Sequence, residues 1–232
     1  MIGIMFALQK ESQPVMDAIK FNKEERVGRL IFHEGQLSGV DVVVVVTGVG
    51  KVLAAGATAI LIDKYRPDLI ISAGVAGGLG VSRIFETVIA SDLAQHDFDT
   101  TAIGEAKGLL PLLNAINIHT SEVAKNAILS VLPNLKVGTV VSGDKFVAKA
   151  EESLALVNDF NAVACDMECA AIGHIAALEN TDVIAVKVIS DGADINAAVS
   201  FEQSLAKGSA MICDMLLETL QVINNALKMS KQ

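Results

Sequence analysis

The sequence predicts an α/β protein. Short apolar strands alternate with amphipathic helices, and the stretch from Val163 to Asp194 shows the pattern as strand, helix and second strand. Glycine or acidic residues follow several of the strands, as is typical of loops at the edge of a sheet. The 232 residues, 52% of them apolar, suffice for one large core, so we expect a single domain over residues 1–232.

The first third of the chain alternates strands and helices. The predicted strands are Ile2 to Leu8, Arg29 to Leu37, Val40 to Val46 and Leu69 to Ala73. One predicted helix ends at Lys20, and a second runs from Val52 to Lys64. Glu11 is expected in the turn between the first strand and the first helix. The glycine-dense segment from Gly74 to Gly80 is expected to be a loop.

The remaining chain repeats the alternation. The predicted strands are Phe85 to Ser91, Val137 to Val141, one beginning at Val163, and Val183 to Ile189. A helix is expected to open at Met167 and Glu168, and a long one runs from Ser200 to about Lys228. The irregular stretch from Thr100 to Leu113 is long for a connection, which is typical of a functional loop.

Composition excludes several classes of function. A net charge of −9 without a basic run opposes binding to nucleic acid or anionic lipid. No apolar run reaches the roughly 20 residues of a membrane span, no signal segment is recognised, and three cysteines are too few for a disulfide framework. We therefore expect a cytoplasmic protein. His96 and Asp97 lack a partner motif, so no metal or other cofactor is expected.

Two carboxylates lie where ligands usually bind in an α/β sheet. Glu168 is at the predicted start of a helix, and Asp191 follows Ser190 at the end of a strand. Taken alone, each is better explained by structure, because an acid complements a helix dipole or shapes a turn. Neither Gly48-Val49-Gly50-Lys51 nor the segment from Gly74 to Gly80 fits a nucleotide-binding fingerprint.

Seven segments, in order and at their spacing, resemble the nucleoside phosphorylase/hydrolase family. Within it the chain is most similar to the 5′-methylthioadenosine/S-adenosylhomocysteine nucleosidases. The segments are IGIMFALQKE, TGVGKVLAA, AGVAGGLG, HDFDTTAIG, VSGDKFV, CDMECAAIGH and VISDGAD. The resemblance implies a three-layer, single-domain fold with a central twisted mixed β-sheet flanked by helices.

The resemblance also implies an activity and a set of site residues. Hydrolysis of an N-glycosidic bond needs an acid for the departing adenine and a base for the attacking water. By motif match Asp191 is the acid, Ser190 orients it, and Glu11 is the base. Glu168 would bind the ribose hydroxyls. The substrate contacts implied besides Glu168 are Val49, Val75, Gly77, Ile103, Phe146, Val147, Met167 and Phe201.

Several positions depart from the family pattern. Val75 replaces a common serine, Lys187 a usual arginine, and Leu8 a usual methionine. Ile103 and Glu105 replace aromatic residues around the 5′ substituent, which predicts a relaxed or altered 5′ preference.

Two other functions stay open from the sequence. A purine nucleoside phosphorylase would need arginines for phosphate, and none lies in a matching motif. A non-catalytic nucleoside-binding protein would not need both an acid and a base. The resemblance implies a homodimer in which the loop from Thr100 to Pro111 closes the neighbouring pocket.

Overall fold

The computed structural model describes residues 1–231, and the ten strands in this range form one mixed sheet. The strands are β1 (Ile2–Phe6), β2 (Lys20–Val27), β3 (Leu30–Leu37), β4 (Val40–Val46), β5 (Leu69–Gly78), β6 (Thr87–Gln95), β7 (Ile118–His119), β8 (Lys136–Ser142), β9 (Ala162–Asp166) and β10 (Val183–Asp191). The helices are α1 (Gln9–Ala18), α2 (Lys51–Tyr65), α3 (Glu122–Val131), α4 (Ala150–Phe160), α5 (Cys169–Leu178) and α6 (Ala197–Ser230).

The central strands run parallel. β1 lies between β4 and β5, and β5 also pairs in parallel with β10. These strands are largely apolar because helices cover both of their faces. β3 pairs antiparallel with β4, and β2 pairs antiparallel with β3 at the edge of the sheet.

Five strands close into a ring. β5 pairs with β10, β10 with β6, β6 with β8, and β8 with β9. β9 returns to β5 through two residue pairs, Gly77 with Cys165 and Gly78 with Ala164. The closure brings together the ends of β5, β9 and β10, which carry most of the polar motifs.

Helices form the outer two layers. α1, α3 and α6 bury one apolar cluster against the sheet, with Ile212, Leu216 and Leu220 of α6 among its members. α2 and α5 bury a second cluster on the other face, which contains Leu61 and Ile172. The predicted three-layer α/β class is confirmed. Within residues 1–231, no helix combines the length with the apolar character that crossing a bilayer requires.

Several local predictions were wrong. The segment from Gly74 to Gly80 was expected to be a loop, but β5 continues through it to Gly78 because β10 and β9 supply hydrogen-bonding partners on both sides. Glu11 lies in the first turn of α1 rather than before the helix. Met167 and Glu168 precede α5, with Glu168 as its N-cap residue. The sequence reading also missed β2, β7, α3 and α4.

Candidate active site

A cavity of about 280 Å³ opens at the ends of β1, β5, β9 and β10. Such strand ends are the usual ligand position in α/β sheets. Every predicted site residue except Ile103 lines it. The lining comprises Ala7, Leu8, Glu11, Val49, Val75, Ala76, Gly77, Lys145, Phe146, Val147, Cys165, Asp166, Met167, Glu168, Ser190, Asp191 and Phe201.

Glu11 is fixed by two backbone amides. It is buried, and its Oε1 and Oε2 accept hydrogen bonds from the Val75 and Leu8 amides, each at 2.9 Å. Burial raises the pKa of Glu11, whereas the Lys187 ammonium and the two amides oppose that rise. The carboxylate is therefore both held in place and more basic than a solvated one.

Gly74 makes the position of Glu11 possible. A Cβ at residue 74 would lie 2.6 Å from Oε1 of Glu11, and the backbone there has a φ of +151°. Any side chain at this position would collide with the carboxylate.

Asp191 and Ser190 end β10 and are almost completely buried. The Ser190 hydroxyl donates to Oδ2 of Asp191 at 2.8 Å, and the Ala193 amide donates to Oδ1 at 2.9 Å. Burial raises the pKa of Asp191 more than these two donors lower it, and the Asp194 carboxylate raises it further. This carboxyl group is thus predisposed to hold a proton.

Gly77 allows β5 to pass close beside Asp191. A Cβ on Gly77 would lie 3.2 Å from Oδ1 of Asp191 and 3.1 Å from Sγ of Cys165. The absence of a side chain keeps this part of the cavity floor open.

Glu168 links the starts of two helices. As the N-cap residue of α5, it accepts a hydrogen bond at 2.8 Å from the amide of Gly50, the residue before α2. Burial, followed by repulsion from Asp166, raises the pKa of Glu168 to about 7. It is therefore a carboxyl group that can either donate to or accept from a polar ligand near neutral pH.

Asp166 and Lys187 form a buried ion pair beside Glu168. Their side chains are 3% and 4% exposed, and Oδ2 of Asp166 lies 2.8 Å from Nζ of Lys187. Asp166 also accepts hydrogen bonds from the Ser142 hydroxyl and the Cys169 amide. Burial alone would raise the pKa of Asp166, but the ammonium and the donors outweigh it and hold that pKa below its usual range.

The role of this pair was missed in the sequence. Lys187 was noted only as a departure from the family pattern. A single lysine inside the apolar strand VIAVKVISD is the signal that could have revealed it, because a buried ammonium requires an acidic partner.

The loop carrying Phe146 and Val147 is tied to neighbouring elements through Asp144. Oδ1 of Asp144 accepts from the Lys51 amide at 2.7 Å, and the Asp144 amide donates to Oδ2 of Asp97 at 2.9 Å. Nζ of Lys51 lies 2.6 Å from Oδ1 of Asp97. Asp97, which follows His96, thus anchors this loop. Within residues 1–231, no three His, Cys, Asp or Glu side chains converge as a metal site would require.

Apolar and aromatic groups form the rest of the cavity. The Phe146 and Phe201 rings meet edge to face with centroids 6.0 Å apart. Phe146 is 44% exposed, which leaves ring surface available to a planar ligand. Ile103 lies in a 3₁₀ turn, is 79% exposed and does not line the cavity of its own chain.

The closed five-stranded ring, with buried carboxyl groups around one cavity, defines the class of protein. The chain belongs to the phosphorylase superfamily, whose family model matches residues 1–221.

Two relatives of this chain within the superfamily are nucleosidases. The 5′-methylthioadenosine/S-adenosylhomocysteine nucleosidase of Staphylococcus saprophyticus is 36% identical, over 95% of this chain and 100% of its own. The enzyme of the same name from Actinobacillus succinogenes is 34% identical, over 94% of this chain and 97% of its own. The resemblance inferred from the seven motifs is confirmed.

The chain also superposes closely on solved structures of two related enzymes. The nucleosidase of S. pneumoniae with the transition-state inhibitor MT-ImmA superposes with a TM-score of 0.90 at 29% identity, covering 96% of this chain and 99% of that one. The futalosine hydrolase of Helicobacter pylori superposes with a TM-score of 0.89 at 29% identity, covering 97% of each chain.

Proposed function

We propose that this protein hydrolyses the N-glycosidic bond of 5′-methylthioadenosine and S-adenosylhomocysteine and releases adenine. The observation that carries the proposal is the pair of buried carboxyl groups, Glu11 and Asp191, in one largely apolar cavity. Two carboxyl groups in different protonation states are what glycoside hydrolysis requires.

The spacing of the two groups along β5 suits an attacking water and a sugar between them. Glu11 binds the amide of Val75, and Asp191 lies against Gly77. Two residues of strand span about 6–7 Å. Inverting glycosidases separate their carboxyl groups by roughly 6.5–9.5 Å, which leaves room for a water.

Burial raises the pKa of both Glu11 and Asp191, and each group also accepts two hydrogen bonds that lower it. The nearby charges differ between the two groups. The Lys187 ammonium lowers the pKa of Glu11, which suits Glu11 to accept a proton from water, whereas the Asp194 carboxylate raises that of Asp191, which suits Asp191 to protonate the departing purine. Ser190 orients the Asp191 carboxyl group through its hydroxyl.

The remaining contacts fit a nucleoside. Glu168 would bind the ribose hydroxyls, with Met167 against the sugar. The exposed face of Phe146 would stack on adenine, and the backbone of Val147 would hydrogen-bond to the edge of the base. Val49, Val75 and Phe201 would supply apolar surface toward the sugar and the 5′ substituent.

Water is favoured over phosphate as the nucleophile. Among residues 1–231, no arginine lines the cavity. Nζ of Lys145, which does line it, lies 2.7 Å from Oε1 of Glu152, and Lys187 is paired with Asp166. A phosphate co-substrate would find no unpaired guanidinium or ammonium there.

We further propose a relaxed or altered preference for the 5′ substituent. Ile103 and Glu105 provide less aromatic surface than the family pattern, and one apolar contact is worth on the order of 1–3 kcal/mol. The expected result is that 5′-deoxyadenosine competes with the thioethers. Comparing kcat/KM for methylthioadenosine, adenosylhomocysteine, 5′-deoxyadenosine and adenosine tests this, and strong selectivity for the thioethers would contradict it.

A homodimer is proposed from exposed apolar side chains. Ile103, Leu112 and Val52 are 79%, 83% and 79% exposed, which is unusual for apolar residues near a ligand cavity. A two-fold partner would cover them and bring its own Ile103 to the neighbouring cavity. A monomer mass by light scattering, in active protein, would exclude this arrangement.

A cytoplasmic location is proposed from the thiols. Cys165, Cys169 and Cys213 are all free and buried, as suits a reducing compartment. Cell fractionation tests it, and recovery of the protein outside the cytoplasm would exclude it.

The proposed roles are tested with isosteric variants. Asp191→Asn and Glu11→Gln should each lose most of the release of adenine from methylthioadenosine, while circular dichroism stays unchanged. Glu218→Gln, which removes an exposed carboxylate of α6 away from the cavity, is the matched control. Near wild-type turnover in either folded site variant would refute the assignment.

A further inference from the structure

A second cavity is lined by chain neighbours of residues that line the first. It measures about 440 Å³ and lies between the first turns of α1 and the start of α6. Gln9 and Lys10 line it from α1, and Glu202 and Leu205 line it from α6. Their chain neighbours Leu8 and Phe201 line the catalytic cavity, so the two cavities are one residue apart along both chain segments.

The chemistry of the wall changes from one cavity to the next. Leu8 and Phe201 are apolar, whereas one residue further along each chain segment the lining becomes polar, and it includes Lys10 and Glu202. Within residues 1–231, neither Lys10 nor Glu202 forms an ion pair. The groove thus offers one ammonium and one carboxylate without partners of their own.

Among the residues of the range 1–231 that line the groove, only Lys10 and Glu202 are charged. Nε2 of Gln13 donates to Oδ1 of Asp17 at 2.7 Å, so the Gln13 amide is already engaged. Pro14 and Leu205 supply apolar surface beside the charged groups.

We propose that this outer groove binds the α-amino acid end of a long 5′ substituent. The Lys10 ammonium would bind the carboxylate, and the Glu202 carboxylate would bind the ammonium. In adenosylhomocysteine the charged end lies beyond the thioether sulfur, so the apolar part of the tail stays between Leu8 and Phe201. The inference rests on the proposed function, since it extends the same site outward.

The consequence is selectivity between tails rather than catalysis of bond cleavage. A methylthio group ends before the groove. A homocysteinyl tail enters it and meets the Lys10 ammonium and the Glu202 carboxylate. Because both protein charges are exposed to solvent, each contact should change affinity only a few-fold and should weaken with added salt.

The experiment compares three substrates: methylthioadenosine, adenosylhomocysteine, and 5′-butylthioadenosine, whose tail is of similar length but uncharged. Lys10→Met and Glu202→Gln should each lower the ratio of kcat/KM for adenosylhomocysteine to that for butylthioadenosine by about threefold. The double variant should lower it by roughly tenfold, mainly through KM. In the wild type, raising the salt concentration should lower the same ratio.

Each other outcome has one meaning. An unchanged ratio in the double variant would overturn the inference, as would equal losses for adenosylhomocysteine and butylthioadenosine. Hydrolysis of methylthioadenosine without hydrolysis of adenosylhomocysteine would also overturn it, and would restrict the proposed function to methylthioadenosine. Hydrolysis of none of the three would instead refute the proposed function. Glu218→Gln is the control for removing a carboxylate from α6.

Discussion

Replacing Gly74 by alanine should disable Glu11 without removing it. The added Cβ would lie 2.6 Å from Oε1 of Glu11, so the oxygen must retreat by roughly 0.8 Å to reach ordinary contact. That retreat breaks or stretches the hydrogen bonds from Val75 and Leu8, both 2.9 Å long.

The size of the effect follows from this displacement. A misplacement of about 1 Å in a reacting group costs on the order of 100-fold in rate. We therefore expect Gly74→Ala to lower kcat/KM for methylthioadenosine about 100-fold. The backbone φ of +151° adds strain of roughly 1–3 kcal/mol, which should lower the Tm as well.

The assay is adenine release, measured beside a thermal unfolding curve. Gly56→Ala is the matched control, because a Cβ at Gly56 of α2 would contact nothing within 4 Å. It should leave kcat/KM unchanged and raise stability by about 0.5–1 kcal/mol. A folded Gly74→Ala protein with kcat/KM within about threefold of wild type would show that the position of Glu11 does not matter to the reaction.

Three further predictions concern the groups around the cavity. Lys187→Met leaves the buried Asp166 carboxylate unpaired and should cost roughly 3–5 kcal/mol in urea unfolding, whereas Lys187→Arg should lose much less; equal losses would mean that the charge is unimportant. Because the folded protein raises the pKa of Glu168 from 4.5 to about 7, the stabilisation from its bound proton is complete below about pH 4.5 and is lost as the pH rises through about 7. This loss is on the order of 3 kcal/mol, and Glu168→Gln should flatten that part of the curve of unfolding free energy against pH; an unchanged curve would contradict the shift. Asp144→Ala removes the hydrogen bond from the Lys51 amide, while the backbone amide of residue 144 still donates to Asp97; the loosened Phe146 loop should raise KM more than it lowers kcat, and the reverse pattern would place the loop in the chemical step.

The parts of the fold that the sequence predicted are those with local signals. The valine run of β4 and the helical spacing of α6 each carry their own pattern, and each matches the structure. β2 was missed because its charged, exposed residues lack the alternation of a half-buried strand and it pairs only at the sheet edge. Ring closure was missed because it depends on contacts between residues distant in sequence, such as Gly77 with Cys165.

Prediction of the site was also limited to residues with local signals. Glu11, Asp191 and Glu168 were predicted as site residues because acids at strand ends match motifs, and all three line the cavity. The ion pair of Asp166 and Lys187 was not identified, because its importance comes from burial rather than from any spacing in the chain. Ile103 was assigned to the pocket by motif alone, and in the structure of one chain it lies on the surface.

The most direct test of the central proposal is the dependence of adenine release on phosphate. Purified protein is incubated with methylthioadenosine in phosphate-free buffer and, in parallel, with saturating phosphate, and the sugar product is identified in each case. We expect equal rates and free methylthioribose in both, since no arginine of residues 1–231 lines the cavity. Adenine release only with phosphate, together with methylthioribose 1-phosphate as product, would contradict hydrolysis.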